Sequence, residues 1–409
     1  MTHVIDAPSP NTPIAVADRV DVLDVMRGFA VLGILLVNID SFIGYGFGLP
    51  EASAAAGARF DDRAAFLVEF LVQGKFYCLF SFLFGVGFAV FVQRASARGH
   101  DAVRLFKRRL AGLLLIGLVH TCLIWYGDIL TNYAVIGFGL IPFLRRDDRF
   151  VLRAAALSLA SPVVLYLLPL AVVSFVPAAP ADASGEGLPP ILAGAVASFA
   201  HGSYGEVVKG NVIFTIANVL RRVALMFYPR VFGMFLLGFW AGRTNLFADL
   251  DRHAALLRRV CVTGFCVELP LAFAGATLGD SGTPRPPSPM GLLETVVETI
   301  ATPLLALAYG AAICLLYRAA PGAMRAVAPV GRMALTSYLT HSVVGIVVFY
   351  GIGFGLYGRV SLPVALAGCA GLFVLQIAAS RLWLSIAAFG PAEWVWRAFT
   401  YRRRVPLLR

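Results

Sequence analysis

The chain has 409 residues, of which 59% are hydrophobic and 14% charged, with a mean hydropathy of +0.80. Soluble domains carry about 25% charged residues, so these values exclude that class and indicate a polytopic membrane protein. The formal net charge of +11 lies in short runs between apolar stretches, at 94–109, 145–153, 243–259, 318–332 and 397–409. That is the pattern of basic cytoplasmic loops and not of a nucleic-acid surface.

In chain order, residues 1–20 are rich in Pro, Asp and Thr and read as a short disordered cytoplasmic tail. An N-terminal helical membrane half is expected over 21–177, with spans at 25–46, 75–93, 110–126, 129–144 and 152–177. Residues 60–73 form a separate amphipathic helix with Asp61, Asp62, Arg63 and Glu69 on its polar positions, and Gly74 is the natural break before the second span. An external loop is expected over 178–226, opening on a Pro-, Ala- and Gly-rich stretch and continuing into a more helical part that carries Tyr204, Glu206, Lys209, Arg221 and Arg222. The C-terminal membrane half, 227–409, carries spans at 227–243, 260–279, 293–317, 333–356 and 361–386. The fold class is therefore all-α: a membrane helical bundle of about ten spans plus one external amphipathic helix. Of the 34 Lys and Arg, 23 fall in segments this arrangement puts in the cytoplasm and 8 outside. Both termini are expected in the cytoplasm and the protein in the plasma (inner) membrane. The acidic flank Asp18, Arg19, Asp21 and Asp24 does not suit a cleaved signal, so the first helix is expected to be retained. The six cysteines lie inside apolar stretches without metal-ligand spacing, so no metal is expected.

The first span carries its own anomaly. Arg27 and Asn38 are eleven residues apart, about 20° around a helix and about 16 Å along it, and Asp24 joins the same stripe. A polar stripe on a membrane helix faces protein or a wet cavity. Sorted by depth, Asn38 and Asp40 join Lys75, His120, Asp128 and Arg230 in an outer group. A base, a carboxylate and a cation in one place serve acid–base chemistry or anion binding. His120 is the first candidate for a base, because its ordinary pKa lies near neutrality. A purely structural interhelical role competes with that reading. Asp128 lies eight residues on, about 80° round and 12 Å along an ideal helix, so a His120–Asp128 pair requires the turn between them to fold back. Lys75 either pairs with Asp40 or Asp128 or binds an anionic group.

Asp24 and Arg27, at i and i+3, form an inner group as an ion pair. Arg108 and Arg109 suit either a phosphorylated cytosolic donor or lipid headgroups. Glu268 and His341 are isolated in apolar runs and read as helix-packing groups. Gly85 and Gly87 follow no strand, so they serve helix packing and not phosphate binding.

Several motifs together resemble the YeiB-like membrane proteins, whose C-terminal half is the domain of unknown function 418. They are the run from Asp24 through Arg27, Gly28 and Gly33 to Asn38, then Lys75-Phe76-Tyr77 to Gly85, and His120 with Trp125-Tyr126-Gly127-Asp128. Gly331-Arg332-Met333-Ala334-Leu335-Thr336 and Gly390-Pro391-Ala392-Glu393-Trp394 complete the set. That family is similar in turn to transmembrane acyltransferases, including the heparan-glucosaminide acetyltransferases and the sugar O-acetyltransferases. The resemblance implies a cytosolic acyl thioester such as acetyl-CoA as donor and an unknown small-molecule or envelope acceptor at the outer face. The sugar enzymes keep a catalytic histidine eleven residues after the first-helix arginine, whereas here Arg27 is followed by Asn38. An amide cannot serve as a base, so that role passes to His120 or the activity differs. Under the enzyme reading His120, Asp128 and Asn38 are catalytic, while Arg27, Asp24, Asp40, Lys75 and Arg230 bind substrates. The alternatives are a transporter for a small anionic or zwitterionic solute and an accessory membrane protein without turnover. The lipid bilayer is the partner expected in every case, and no nucleic acid is.

Overall fold

A computed structural model describes residues 20–45, 58–174, 188–278, 287–403 and 405–409. Almost all of the expected N-terminal tail and the first part of the expected external loop lie outside the described residues. The described elements are helical, apart from one isolated antiparallel bridge between Ala387 and Leu408. The protein is a helical membrane bundle.

Helix α1 spans Asp21–Ile43, with Asp21 and Asp24 in its first turn, where acidic side chains complement the helix dipole. It ends at Gly44 with φ 76°, whose N–H bonds the Asp40 carbonyl, a left-handed cap that glycine adopts without penalty. Helix α2 (Ala58–Leu71) leads into α3 (Lys75–Ala97) through Gly74 at φ 80°, the break expected from the sequence. Asp61, expected on the polar surface of α2, is instead buried, and its Oδ1 accepts a hydrogen bond from the backbone N–H of Leu362. It caps a helix start that packing has removed from water.

Helix α4 (Ala102–Val119) continues as a π-turn over His120–Ile124, and α5 (Leu130–Phe138) follows. Helix α6 is Asp148–Ser174. The external loop expected over 178–226 is, in its described part, two helices: α7 (Pro190–His201) and α8 (Tyr204–Ala224). A capping box opens α8, with Ser203 and Glu206 bonded reciprocally. Helix α9 (Phe227–Arg243) follows after a 72° bend at Leu225 and Met226, where Met226 takes a left-handed φ of 52°. Helices α10 (Ala254–Leu278) and α11 (Pro289–Ala319) come next. Two short helices, α12 (Pro321–Met324) and α13 (Ala328–Arg332), lead to α14 (Ala334–Phe349), α15 (Leu362–Ile386) and the short amphipathic α16 (Pro391–Tyr401).

Helix occupies part of each of the ten expected ranges, but those at 110–126, 129–144 and 333–356 run past helix ends at Ile124, Phe138 and Phe349. Five long apolar stretches among the described residues suffice to cross a bilayer, at Asp21–Ile43, Asp61–Ala97, Asp148–Ala171, Pro289–Ala319 and Leu362–Ile386. The bent pair α8–α9 makes a sixth. Burial separates centre from periphery. The apolar window of α1 is 67% buried, against 11% for α6 and 28% for α15, so α1 is the central post and α6 and α15 turn apolar faces outward.

Glycines set the closest crossings. A Cβ on Gly85 would overlap the Phe235 carbonyl, and one on Gly238 would overlap that of Phe82, so α3 and α9 pack backbone to backbone. Gly85 thus serves the packing role expected from the sequence. Gly85→Leu is expected to cost at least the ~1–3 kcal/mol of an overpacked site, read as a lower unfolding temperature in detergent. An unchanged temperature would mean that this crossing is not tight.

Candidate functional site

Two cavities meet inside the bundle. One, of about 270 Å³, lies beside the N-terminal half of α1 and is lined by Asp24, Arg27, Arg94, Arg109, Arg332 and Arg397 among aromatic side chains. The other, of about 220 Å³, is lined by Asn38, Lys75, Arg221, Arg222 and Arg230 together with Glu69, Glu294 and Glu298. Ile34, Ile129 and Tyr338 line both and form a thin septum between them.

In the arginine-rich cavity, Arg27 Nη1 bonds Asp24 Oδ1 at 2.7 Å, the i,i+3 pair expected from the sequence. A Cβ on Gly87 would sit 3.7 Å from Arg27 Nη2, an ordinary contact, so no close approach requires glycine there. The α16 helix closes one wall. Its Glu393 accepts hydrogen bonds from the N–H groups of Leu335 (2.7 Å) and Thr336 (3.2 Å) and from the Thr336 hydroxyl (2.6 Å). One carboxylate thereby caps the start of α14 from another helix. Trp396 donates its indole N–H to the Arg109 carbonyl at 2.7 Å, and the Arg109 guanidinium lies 3.8 Å from the Trp396 ring centroid.

Burial, outweighing the three hydrogen bonds, pushes the Glu393 carboxyl above the usual carboxylate range. A carboxyl raised in the fold binds its proton more tightly there than in the unfolded chain. Its stabilising contribution is therefore complete below the ordinary carboxylate pKa and declines as pH rises through the raised one. Glu393→Gln keeps an acceptor and removes this titration. Melting curves of wild type are expected to fall relative to the variant from pH 4 upwards. Parallel pH profiles would contradict that assignment.

In the second cavity, Lys75 is buried, and its ammonium donates to the Glu69 carbonyl at 2.6 Å. It does not pair with Asp40 or Asp128, the partners suggested by sequence. Arg230 binds the Tyr77 hydroxyl at 3.0 Å and Glu298 at 3.2 Å. Asn38 lines this cavity, whereas Asp40 lines neither.

His120 and Asp128 also line neither cavity, yet they meet. The π-turn closes with the Trp125 N–H on the His120 carbonyl at 2.8 Å, Trp125 swings into extended backbone, and the chain folds back. Asp128 then caps α5, accepting from the N–H groups of Leu130 (3.1 Å) and Thr131 (2.7 Å). Its Oδ1 stands 3.1 Å from His120 Nδ1, while His120 Nε2 is 2.8 Å from the Ser342 hydroxyl. With Nδ1–H donated to Asp128, Nε2 is left to accept from Ser342. The order hydroxyl, imidazole, carboxylate is that of a general-base relay. All three groups are buried, and the His120 ring lies 5.2 Å from the ring of Tyr338. Tyr338 stands between this relay and both cavities.

The structure thus gathers Asn38, Lys75 and Arg230 in one cavity and Asp24 and Arg27 in the other, with His120 and Asp128 behind the septum. Sequence reasoning did not identify Ser342, Glu294 or Glu298 as site residues. Ser342 is four residues after Tyr338, on the same helix face, and Glu294 and Glu298 repeat at the same interval inside an apolar run, so the helical period carries the signal. His341 donates from Nε2 to Gln376 Oε1 at 2.8 Å across the α14–α15 contact, the packing role expected of it.

These features define a class: a polytopic helical membrane protein with two charged cavities meeting at a thin septum. The family described as "Protein of unknown function (DUF418)" matches residues 241–403. The chain is 30% identical to uncharacterized protein YxaH of Bacillus subtilis (strain 168), over 97% of this chain and 98% of the relative. It is 31% identical to an uncharacterized 39.9 kDa protein in the amylase 3' region of Bacillus acidopullulyticus, again over 97% and 98%. To uncharacterized protein YeiB of Escherichia coli (strain K12) it is 28% identical, over 94% and 97%. The chain belongs to this YeiB-like DUF418 family. No solved structure matches it.

Proposed function

We propose that the protein is a plasma-membrane acyltransferase that takes an acyl group from a cytosolic thioester and passes it to an acceptor at the outer face. The observation that carries this reading is the pair of charged cavities that share only Ile34, Ile129 and Tyr338. With both termini cytoplasmic, as the basic loops favour, the arginine-rich cavity opens toward the cytosol. Its guanidinium groups suit a phosphorylated donor such as acetyl-CoA, because the planar fork matches phosphate oxygens. The second cavity receives the acceptor. Turning the Tyr338 ring aside brings His120 to the junction. The acceptor hydroxyl or amine then displaces the Ser342 hydroxyl from Nε2 and gives Nε2 its proton as a new carbon–oxygen or carbon–nitrogen bond forms. The thioester carbon–sulfur bond breaks, and His120 returns the proton to the thiolate. Asp128 holds the ring in the tautomer that this requires, and Asn38 supplies an amide to the acyl oxygen.

The test is purified protein with acetyl-CoA labelled in the acetyl group and a cell-envelope extract. Label in an envelope product is the expected result, and only free acetate would sink the reading.

One observation favours a second reading, transport of a small anion. Helices α8 and α9 form a broken span whose 72° bend adjoins Arg221, Arg222 and Arg230. Transporters place discontinuous helices at their binding sites. Solute flux in proteoliposomes without any thioester would favour this alternative.

A further inference from the structure

The second cavity carries cationic charge that its own carboxylates leave unmatched. Arg230 is paired with Glu298. Lys75 and Arg222 are not paired: among the described residues, neither has a carboxylate oxygen within 4.0 Å. Lys75 is only 6% exposed, and its ammonium, which carries three donors, is held by one backbone carbonyl. A buried charge with a single neutral partner is costly to keep. Arg222 lies with its guanidinium 5.3 Å from the Phe227 ring centroid, a contact that leaves its N–H groups available in the plane of the fork. Gly74, Lys75, Phe76 and Tyr77 also line this cavity, so the first turn of the 23-residue α3 helix faces it with the positive end of its dipole. Glu69, Glu294 and Glu298 stand against Lys75, Arg221, Arg222 and Arg230, and the bases outnumber the acids.

We propose that this cavity is a phosphate-binding site, in which Lys75, Arg222 and the first turn of α3 hold the phosphate group of a small ligand. A phosphate monoester carries about −1.5 to −2 charges at neutral pH, more than the single excess positive charge of the lining, so it is held by direct contact with Lys75, Arg222 and the α3 amides. Lys75 supplies a point charge and Arg222 a fork for two oxygens. The 220 Å³ volume is below the ~300–1,000 Å³ of sites for drug-sized molecules, so it takes a phosphorylated headgroup and not a whole oligosaccharide. The ligand is either a soluble phosphate ester or the headgroup of a lipid. Naming it the acyl acceptor rests on the acyltransferase reading, whereas phosphate binding does not.

The experiment is thermal unfolding of the full chain without any thioester. In neutral detergent, wild type is titrated with glycerol phosphate, inorganic phosphate and glycerol. In a second arm, nanodiscs of phosphatidylglycerol are compared with nanodiscs of a neutral glycolipid. Stabilisation by the phosphates but not by glycerol identifies a soluble ester. Stabilisation only by phosphatidylglycerol identifies a headgroup. In either case Lys75→Gln and Arg222→Gln are expected to weaken the response at least tenfold, while Lys75→Arg retains most of it. Wild type that responds to neither arm overturns the proposal whatever the variants do. Equal responses in wild type, Lys75→Gln and Arg222→Gln overturn it as well. Acyl transfer is read separately by label, so loss of transfer with phosphate binding intact removes the enzyme reading alone.

Discussion

His120→Gln is expected to lower acyl transfer by about 10²–10⁴-fold, the usual contribution of a positioned general base, while the protein still elutes from detergent as wild type does. Glutamine preserves much of the volume and some hydrogen bonding toward Asp128 and Ser342, but its amide cannot accept and return a proton. Asp128→Asn tests the other half of the pair. The asparagine still caps α5 through its oxygen, yet it no longer offers a carboxylate to Nδ1–H, so the imidazole is free to take the wrong tautomer. A loss of similar size in both variants is expected from groups acting as one unit. Label transfer equal to wild type in His120→Gln would remove the relay from the mechanism and leave the three buried groups as a tie between the π-turn and α14.

Tyr338→Ala is expected to join the two cavities. Of the three side chains shared by the cavities, Ile34, Ile129 and Tyr338, the largest is then gone, and under the proposed acyl transfer water from the acceptor side is expected to reach the thioester. Hydrolysis of labelled acetyl-CoA without acceptor should rise on the order of tenfold, equivalent to about 1.4 kcal/mol off the barrier for water attack, while transfer to acceptor falls. Tyr338→Phe keeps the septum and loses the hydroxyl's hydrogen bonds, at 3.5 Å to the Gly127 carbonyl and with the Ile129 backbone, so it should behave nearly as wild type. If Tyr338→Ala hydrolyses no faster and still transfers, Tyr338 is not the barrier between the cavities.

Much of this fold is legible in the sequence because the membrane imposes simple rules. The apolar runs, the Gly74 break and the Asp24–Arg27 pair each follow from local spacing. The site was only half legible. The stripe on α1 led to Asn38 and Arg27, but separating them into two cavities depends on Tyr338 and Ile129, which arrive from other helices. The sequence offers the His120–Asp128 contact only on condition of a fold-back, because an ideal helix sets the two residues about 12 Å apart. One π-turn and an extended Trp125 undo that distance, and neither is encoded in periodicity. The more helical part expected after the Pro-, Ala- and Gly-rich start of 178–226 is the α8 helix, whereas α7 is hidden by the composition around it. Ser203 and Glu206 nevertheless carried the S-x-x-E signature of a helix start. Asp61 was misread for the opposite reason: an acidic residue on an amphipathic helix looks solvated until a distant helix end, at Leu362, is brought to it.

The crossing of α1 with α13 constrains how such a machine moves. A Cβ on Gly331 would overlap the Asp24 carbonyl, and one on Gly28 would overlap Val327 just before α13, so the backbone of α1 meets that of α13 at Gly331. Backbone contact of this kind leaves little slack for sliding or rolling. The central post and α13 therefore travel together, and exchange at the arginine-rich cavity falls to the walls held by fewer ties. Helix α16 is the natural moving part. It is fastened to α14 by Glu393 and by the Ala392 N–H on the Thr336 hydroxyl, and to α4 by Trp396 and by Phe399 packed on Gly112, ties that all run to helices other than the post. Admitting a ligand through that wall means parting α16 from α14 and α4, and not α1 from α13.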